Sequence, residues 1–321
     1  MKYDLITKTK SYPLHRPFRI ARGVKDTAHT VQVILEDEQG NTGLGEAVPY
    51  PRFGESIDSV LHQIERIRPM LVRGFRHNDL MQEMAPGAAR NALACALWSM
   101  QAGAPLNDQK PQYLKSAMTI AIDTPEAMAE AAKNCPGHIL KIKLGNSESV
   151  NALQAIHEAV PDKDIIIDAN EGWDIETFQD ILPILTQCKV RLIEQPLHED
   201  IDHELTDFDS PIPIYADESV LSRRDFPALR DRYQGVNIKL DKCGGLTEAM
   251  IMKEEALKLG FEVMLGCMIG PFRTIAPALR LIDDDISWVD LDGPSWIKDD
   301  PENPIDFQSW VQDCGFEIKF N

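Results

Sequence analysis

The sequence predicts an α/β chain in two parts, an α+β domain followed by a parallel (β/α) barrel. Three observations carry that expectation. At 321 residues the chain is too long for one simple core. After Pro111 the pattern changes to short apolar strands alternating with amphipathic helices. Eight such strands follow one another, which implies a barrel, with a doubly wound sheet as the fallback.

In order, the first part reads as a strand pair, KYDLITKTKSYPL and HTVQVILED. Between them RPFRIARGVKDTA, basic and glycine-containing, reads as a loop. EQGNTGLGEAVPYP is rich in turn residues and carries a second loop around 49–56. From Ser56 to Ala102 the spacing is helical. The barrel strands fall at 116–122, 138–144, 164–168, 190–194, 212–216, 235–240, 261–265 and 287–291. Stretches such as PEAMAEAAKN and TEAMIMKEEALKLG supply the helices between them. The expected division is 1–110 and 111–295, with 296–321 packing back on the first domain.

Hydrophobic residues are 43% and charged residues 26%, the balance of an ordinary globular protein. With 33 basic against 51 acidic residues, the net charge of −18 argues against nucleic acid or an anionic membrane as a partner. No apolar run is long enough to span a bilayer, and the N-terminus lacks the apolar core of a signal peptide, so the expected location is cytoplasmic. The six cysteines form no CxxC pair and are expected to be reduced thiols.

In a barrel, catalytic groups come from the C-terminal ends of the strands. Here those ends carry Lys141 and Lys143 (strand two), Asp168 (three), Glu194 (four), Asp217 (five), Lys239 (six), and Asp290 and Asp292 (eight). Three successive strands delivering one carboxylate each, 26 and 23 residues apart, suit a hard cation such as Mg²⁺. The alternative is that each acid only caps the helix that follows. Lys141 and Lys143 share one face of a strand, where two ammonium groups are expected to lower each other's pKa and prepare a general base. Lys239 comes from the opposite side of the ring, and Lys242 is expected to point to solvent. One base on each side of a metal fits removal of an α-proton from a carboxylate substrate and its return from the other face.

These residues resemble the enolase superfamily, for which a Lys or His base beside Mg²⁺ is a known arrangement. LKIKLG (140–145), IIIDANEGW (165–173), LIEQPL (192–197), YADES (215–219) and NIKLDKCGG (237–245) resemble its muconate-lactonizing subgroup more closely. The resemblance implies a modified TIM-like (β/α)7β barrel with a capping domain and one Mg²⁺ per subunit on Asp168, Glu194 and Asp217. VDLDGP (289–294) is similar to the Asp-x-Asp of dipeptide epimerases, which implies that Asp290 and Asp292 bind a free α-ammonium group. Two acids in an ordinary turn before Gly-Pro are the structural alternative.

PFRIARG (17–23), GEAVPYPRFGES (45–56), PGAARNALACALW (86–98) and MLGCM (264–268) resemble the bacterial L-Ala-D/L-Glu epimerases, which act in murein peptide recycling. That resemblance implies a small dipeptide substrate inverted at its C-terminal residue by Lys143 and Lys239. It implies Arg22 as the cation for the glutamate side chain, with Arg19 and Lys25 weaker candidates, Lys25 expected to be merely solvated. Lys141, Thr119, Cys267 and Met268 are the other residues expected to bind substrate. MIGPFR (268–273) has no clear counterpart, and a homo-oligomer stays open. So do o-succinylbenzoate synthesis, cycloisomerisation, epimerisation of other dipeptides, a Schiff-base lyase and a non-catalytic binding barrel.

Overall fold

Eight short parallel strands form the barrel: β5 (Met118–Ile120), β6 (Ile139–Lys143), β7 (Asp164–Asp168), β8 (Val190–Glu194), β9 (Ile214–Ala216), β10 (Gly235–Lys239), β11 (Glu262–Gly266) and β12 (Trp288–Asp290). They are ordered in sequence from β5 to β12. Among the described residues no ladder joins the two ends, but Ala117 N–H donates to Val289 O (2.7 Å) and Leu291 N–H to Ser116 Oγ (2.9 Å) across the seam. This computed structural model describes residues 1–20, 23–101, 113–145, 150–301 and 316–317.

Helices α4 (Pro125–Asn134), α5 (Val150–Ala159), α6 (Ile175–Gln187) and α9 (Leu246–Lys258) cover the barrel, with one-turn helices α7 (Phe226–Leu229), α8 (Leu240–Cys243) and α10 (Phe272–Ile275). Their apolar faces meet the outward side chains of the strands, such as Ile165, Ile167, Ile193 and Leu265, in one continuous core. Thr124 and Asp174 cap α4 and α6 through their side chains. Asp168, at the end of the strand before α6, is therefore not the cap of that helix.

The N-terminal domain is a three-stranded antiparallel sheet, β1 (Tyr3–Ile20), β2 (Gly23–Asp37) and β3 (Thr42–Ala47), packed on α1 (Ile57–Arg73), α2 (His77–Glu83) and α3 (Ala88–Gln101). Two expectations fail here. RPFRIARGVKDTA is not a loop, because its described residues extend the β1–β2 hairpin. Pro13 and Pro17 break the sequence pattern, but β1 is an edge strand, where a missing N–H is tolerated. The register slips between them, Pro13 pairing with Thr27 and Phe18 with Lys25. The turn-like TGLGEA is strand β3, whose glycines answer to packing: a Cβ on Gly43 or Gly45 would collide with the backbone of α3 at Ala96 or Ala92.

The two sheets meet through α3 and the segment after β10. Arg90 donates to the carbonyls of Cys243 and Gly244, and Trp98 Nε1 to Thr247 Oγ1 (2.9 Å). Gly244 and Gly245 have φ of 81° and 111°, and their missing side chains make room for Arg90 and Ala94. Beyond β12, Leu14 bridges Ile297 and Lys298 N–H donates to Pro13 O (2.9 Å). The pair β4 (Tyr113–Leu114) and β13 (Phe316–Glu317) is antiparallel. Among the described residues no helix is long and apolar enough to cross a membrane. Their five cysteines are all unpaired.

Asp241 lies buried in this interface, accepting from Val48 N–H (3.0 Å) and Asn91 Nδ2 (2.8 Å). Burial raises its carboxyl to about 7 against those two hydrogen bonds. Its ionisation penalty is thus absent below the usual carboxylate range, grows as the pH rises, and is complete above about 7. Asp241→Asn is expected to remove that pH dependence and to gain on the order of 2 kcal/mol at pH 8 with little change at pH 4. Urea unfolding of both proteins at the two pH values is the check. An unchanged difference between them would contradict it.

Candidate active site

The C-terminal ends of the barrel strands open into a cavity of about 510 Å³. The N-terminal domain supplies its other wall through Phe18, Ile20, Lys25, Tyr50 and Arg52. Lys143, Asp168 and Glu194 are register partners on β6, β7 and β8, so their side chains leave the sheet at one level. Asp217 follows β9 by one residue, and the three carboxylates each offer an oxygen within 4.8 Å of the others. All three are buried.

Four lysines surround them. Lys141 Nζ bridges Glu194 (2.7 Å), Asp290 (2.7 Å) and Asp168 (3.0 Å). Lys143 Nζ is 2.6 Å from Asp168, while Lys239 Nζ, across the cavity, is 2.6 Å from Asp217. Their strands β6 and β10 are four apart in the ring of eight. Lys242, expected in solvent, is 3% exposed and donates to Asp217 Oδ1 (2.5 Å), Asp217 O and Asn237 O (3.0 Å). The reason is local: the single turn of α8 folds its side chain back under the strand ends.

The electrostatics also correct the expectation for Lys-x-Lys. Burial opposes the charge of Lys141, but Asp168, Asp290 and Glu194 outweigh it, so the pKa of Lys141 is raised, not lowered. Burial likewise opposes ionisation of Asp168 and Asp217, yet the lysines hold both below the ordinary carboxylate range. Glu194 goes the other way, to about 8, through burial and then the charge of Asp168. Lys239 is raised by Asp217 and Glu194 against the burial that would lower it.

At the far wall Asp290 and Asp292 are both buried. Asp292 Oδ2 accepts from Thr119 N–H (2.7 Å), and burial followed by the charge of Asp290 raises its carboxyl to about 6. Asp290 Oδ2 takes Lys141, while its Oδ1 is buried with no hydrogen-bond partner. Thr119, Lys141, Cys267 and Met268 line the same cavity. Arg22 lies outside the described residues. Lys25, expected to be solvated, instead lines the cavity, with Nζ 6.0 Å from the Tyr50 ring centre; it makes no salt bridge among the described residues, though the charge of Asp241 acts on it. Burial lowers its pKa. Arg19 does not line this cavity.

Comparison with known proteins bears on this arrangement. The family model for the mandelate racemase/muconate lactonizing enzyme N-terminal domain matches residues 2–107, and the enolase C-terminal domain-like model matches 124–282. The chain belongs to the enolase superfamily. It is an isomerase. It is 42% identical to an L-Ala-D/L-Glu epimerase of Escherichia coli (strain K12), covering 93% of this chain and 95% of that protein. It is 40% identical to an N-acetyl-D-glutamate racemase of a Pseudoalteromonas species, covering 88% and 94%. An enolase-family structure from Agrobacterium tumefaciens, with bound sodium and L-Ala-L-Glu, superposes with a TM-score of 0.92 at 39% identity, over 99% of this chain and 98% of the other. A dipeptide epimerase from Enterococcus faecalis in complex with Mg and L-Leu-L-Tyr gives 0.89 at 26% identity, over 99% and 98%.

The superfamily's metal fits the donor set here. Three buried carboxylates from adjacent strands offer hard oxygen ligands, and Glu194 Oε2 faces the Lys141 ammonium at 2.7 Å without a well-aligned hydrogen bond among the described residues. Two further residues hold this set and were not singled out in the sequence. Asn237 donates to Glu194 Oε1 (2.7 Å); it lies two before Lys239 on β10, so the alternation that placed Lys239 inside also placed Asn237 there. Gln195 accepts on Oε1 from Asp217 N–H (2.9 Å) and Ser219 N–H (3.1 Å), and donates to Leu197 O, Ser219 Oγ and Tyr233 OH. No spacing rule points to it.

Lys242 has all three ammonium donors satisfied, and Asp217 loses two of its acceptor contacts without it. Lys242→Met is therefore expected to destabilise the fold by about 3 kcal/mol, the cost of breaking a buried ion pair. Lys25→Met, which breaks no pair, is expected to change stability by less than about 0.5 kcal/mol. Chemical denaturation midpoints decide. Equal effects of the two substitutions would contradict the assignment.

Proposed function

We propose that the protein is a Mg²⁺-dependent L-Ala-D/L-Glu epimerase of murein peptide metabolism. The observation that carries this is the pair of lysines, Lys143 and Lys239, on strands half a ring apart and facing one cavity. In this reading the substrate lies between them with the α-carbon of its C-terminal residue exposed to both ammonium groups. The lysine on one side, deprotonated, takes the α-proton, and the one opposite, protonated, returns a proton to the other face. The centre inverts without net oxidation or loss of a group. Mg²⁺ on Asp168, Glu194 and Asp217 would supply Lewis-acid stabilisation of the charge developing on the substrate carboxylate. Lys141 adds a fixed positive charge against the same three acids and Asp290.

Asp290 and Asp292 support a substrate with a free amine. A buried carboxylate oxygen without a hydrogen-bond partner, beside a second acid, favours a cation, and an ammonium group brings three donors. This favours a dipeptide over an N-acylated glutamate, the substrate type in the name of the Pseudoalteromonas relative. Lys25 supports an acidic side chain on the inverted residue, since it lines the cavity and makes no salt bridge among the described residues. The N-terminal domain in this reading caps the barrel mouth.

Incubation with L-Ala-L-Glu and Mg²⁺ in D₂O is the test. The expected result is loss of the glutamate α-proton signal with appearance of the L,D diastereomer, abolished by EDTA. Exchange of N-acetylglutamate but of no dipeptide would overturn the dipeptide assignment. For the side chain, Lys25→Met is expected to lower kcat/KM for L-Ala-L-Glu by about tenfold to a hundredfold and to leave L-Ala-L-Met nearly unchanged. An equal loss on both substrates would remove Lys25 from the recognition of charge.

A further inference from the structure

Arg52 also lines the cavity, but unlike Lys25 it is paired with carboxylates. It sits on the turn Pro51–Phe53 of the N-terminal domain. Its Nε donates to Glu171 Oε2 and its Nη2 to Glu171 Oε1, both at 2.7 Å, in a two-pronged fork. Nη2 also reaches Glu199 Oε1 at 3.0 Å, and Glu199 N–H donates to Glu171 Oε1 (3.3 Å). Glu171 belongs to the turn after β7 and Glu199 to the segment after β8. One guanidinium therefore ties a loop of the N-terminal domain to two loops of the barrel mouth.

An exposed ion pair of this kind would be worth little. This one differs in burial, since the Glu171 side chain is 2% exposed, and in geometry, since a fork fixes orientation as well as distance. The turn that presents Glu171 is also held away from ordinary backbone: Asn170 and Glu171 have φ of 49° and 64°. It is kept there by Asn170 N–H on Asp168 Oδ1 (2.9 Å) and Glu171 N–H on Gln195 O (2.9 Å).

The other end of the loop is fastened within its own domain. Glu55 accepts from Tyr50 N–H (3.0 Å) and from Ala88 N–H (2.8 Å) at the start of α3. Between the two fastenings, Tyr50 and Pro51 form part of the cavity wall, and Tyr50 is the ring beside Lys25. Loosening Arg52 removes the tie of that wall to the loops after β7 and β8, while the Val48 bond to Asp241 and the Glu55 bonds stay in place.

We propose that Arg52 is a positioning residue, whose fork on Glu171 holds the Tyr50–Pro51 wall closed over the barrel mouth and so keeps bound substrate in place. It touches no reacting atom and its action is on retention of substrate, not on proton transfer. The proposal rests on the reading of this cavity as the dipeptide site.

Two measurements test it. Arg52→Gln is expected to raise KM for L-Ala-L-Glu about tenfold or more, with kcat within about threefold of wild type. Without any substrate, the amides of Phe53, Gly54 and Glu55 are expected to exchange with D₂O at least about tenfold faster, while those of α9 keep their rates. Arg52→Gln/Glu171→Gln is expected to behave like Arg52→Gln alone in KM and in exchange at 53–55, because the fork is already lost in the single variant. Arg52→Lys is expected to recover only part of the effect, lacking the planar fork. Unchanged amide exchange at 53–55, or a fall in kcat at constant KM, would overturn the proposal. A wild-type protein that turns over no dipeptide would sink the proposed function instead, and the exchange measurement would still decide the role of Arg52.

Discussion

The site depends on one constraint: three carboxylates are buried within reach of one another, and their charge must be balanced inside the protein. Burial of one unpaired carboxylate is already expensive. Here Asp168, Glu194 and Asp217 are compensated by Lys141, Lys143, Lys239 and Lys242, each with at least one oxygen within 3.0 Å. Glu194 is the acid that compensation serves least, and it alone of the three is pushed upward, to about 8.

The barrel topology makes this cluster possible and gives its lysines different roles. Adjacent parallel strands in register bring the acids side by side, whereas β6 and β10 carry their lysines to opposite walls. Lys242 comes from a helical turn below, with every donor satisfied, and reads as scaffold. The N-terminal domain then closes the mouth through Phe18, Lys25, Tyr50 and Arg52, and its docking on Asp241 and Gly244–Gly245 fixes it next to the strand that bears Lys239.

Much of this was legible in the chain because strands obey a period of two. DIIID, VRLIE and ILKIK end in charged residues, and their mutual approach follows from strand order alone. Asn237 obeys the same rule. Where the backbone leaves the strand the rule stops. Lys242 sits one helical turn after β10, and nothing in KLDKCGG tells whether that turn faces in or out. Lys25 reads as loop because Pro13 and Pro17 mask a hairpin that an edge strand accommodates. Gln195 and Glu171 depend on left-handed backbone, at φ of 38° and 64°, that follows two of the acids and has no glycine to announce it.

The opposed lysines are the centre of the account, and exchange at a single stereocentre tests them most directly. Lys143→Ala and Lys239→Ala proteins would each be given L-Ala-L-Glu and, separately, L-Ala-D-Glu in D₂O with Mg²⁺. If one lysine serves each face, both variants fail to epimerise, yet each still washes deuterium into one diastereomer, and the two variants differ in which. Exchange of both diastereomers by either variant, or epimerisation at near wild-type rate, would contradict the account.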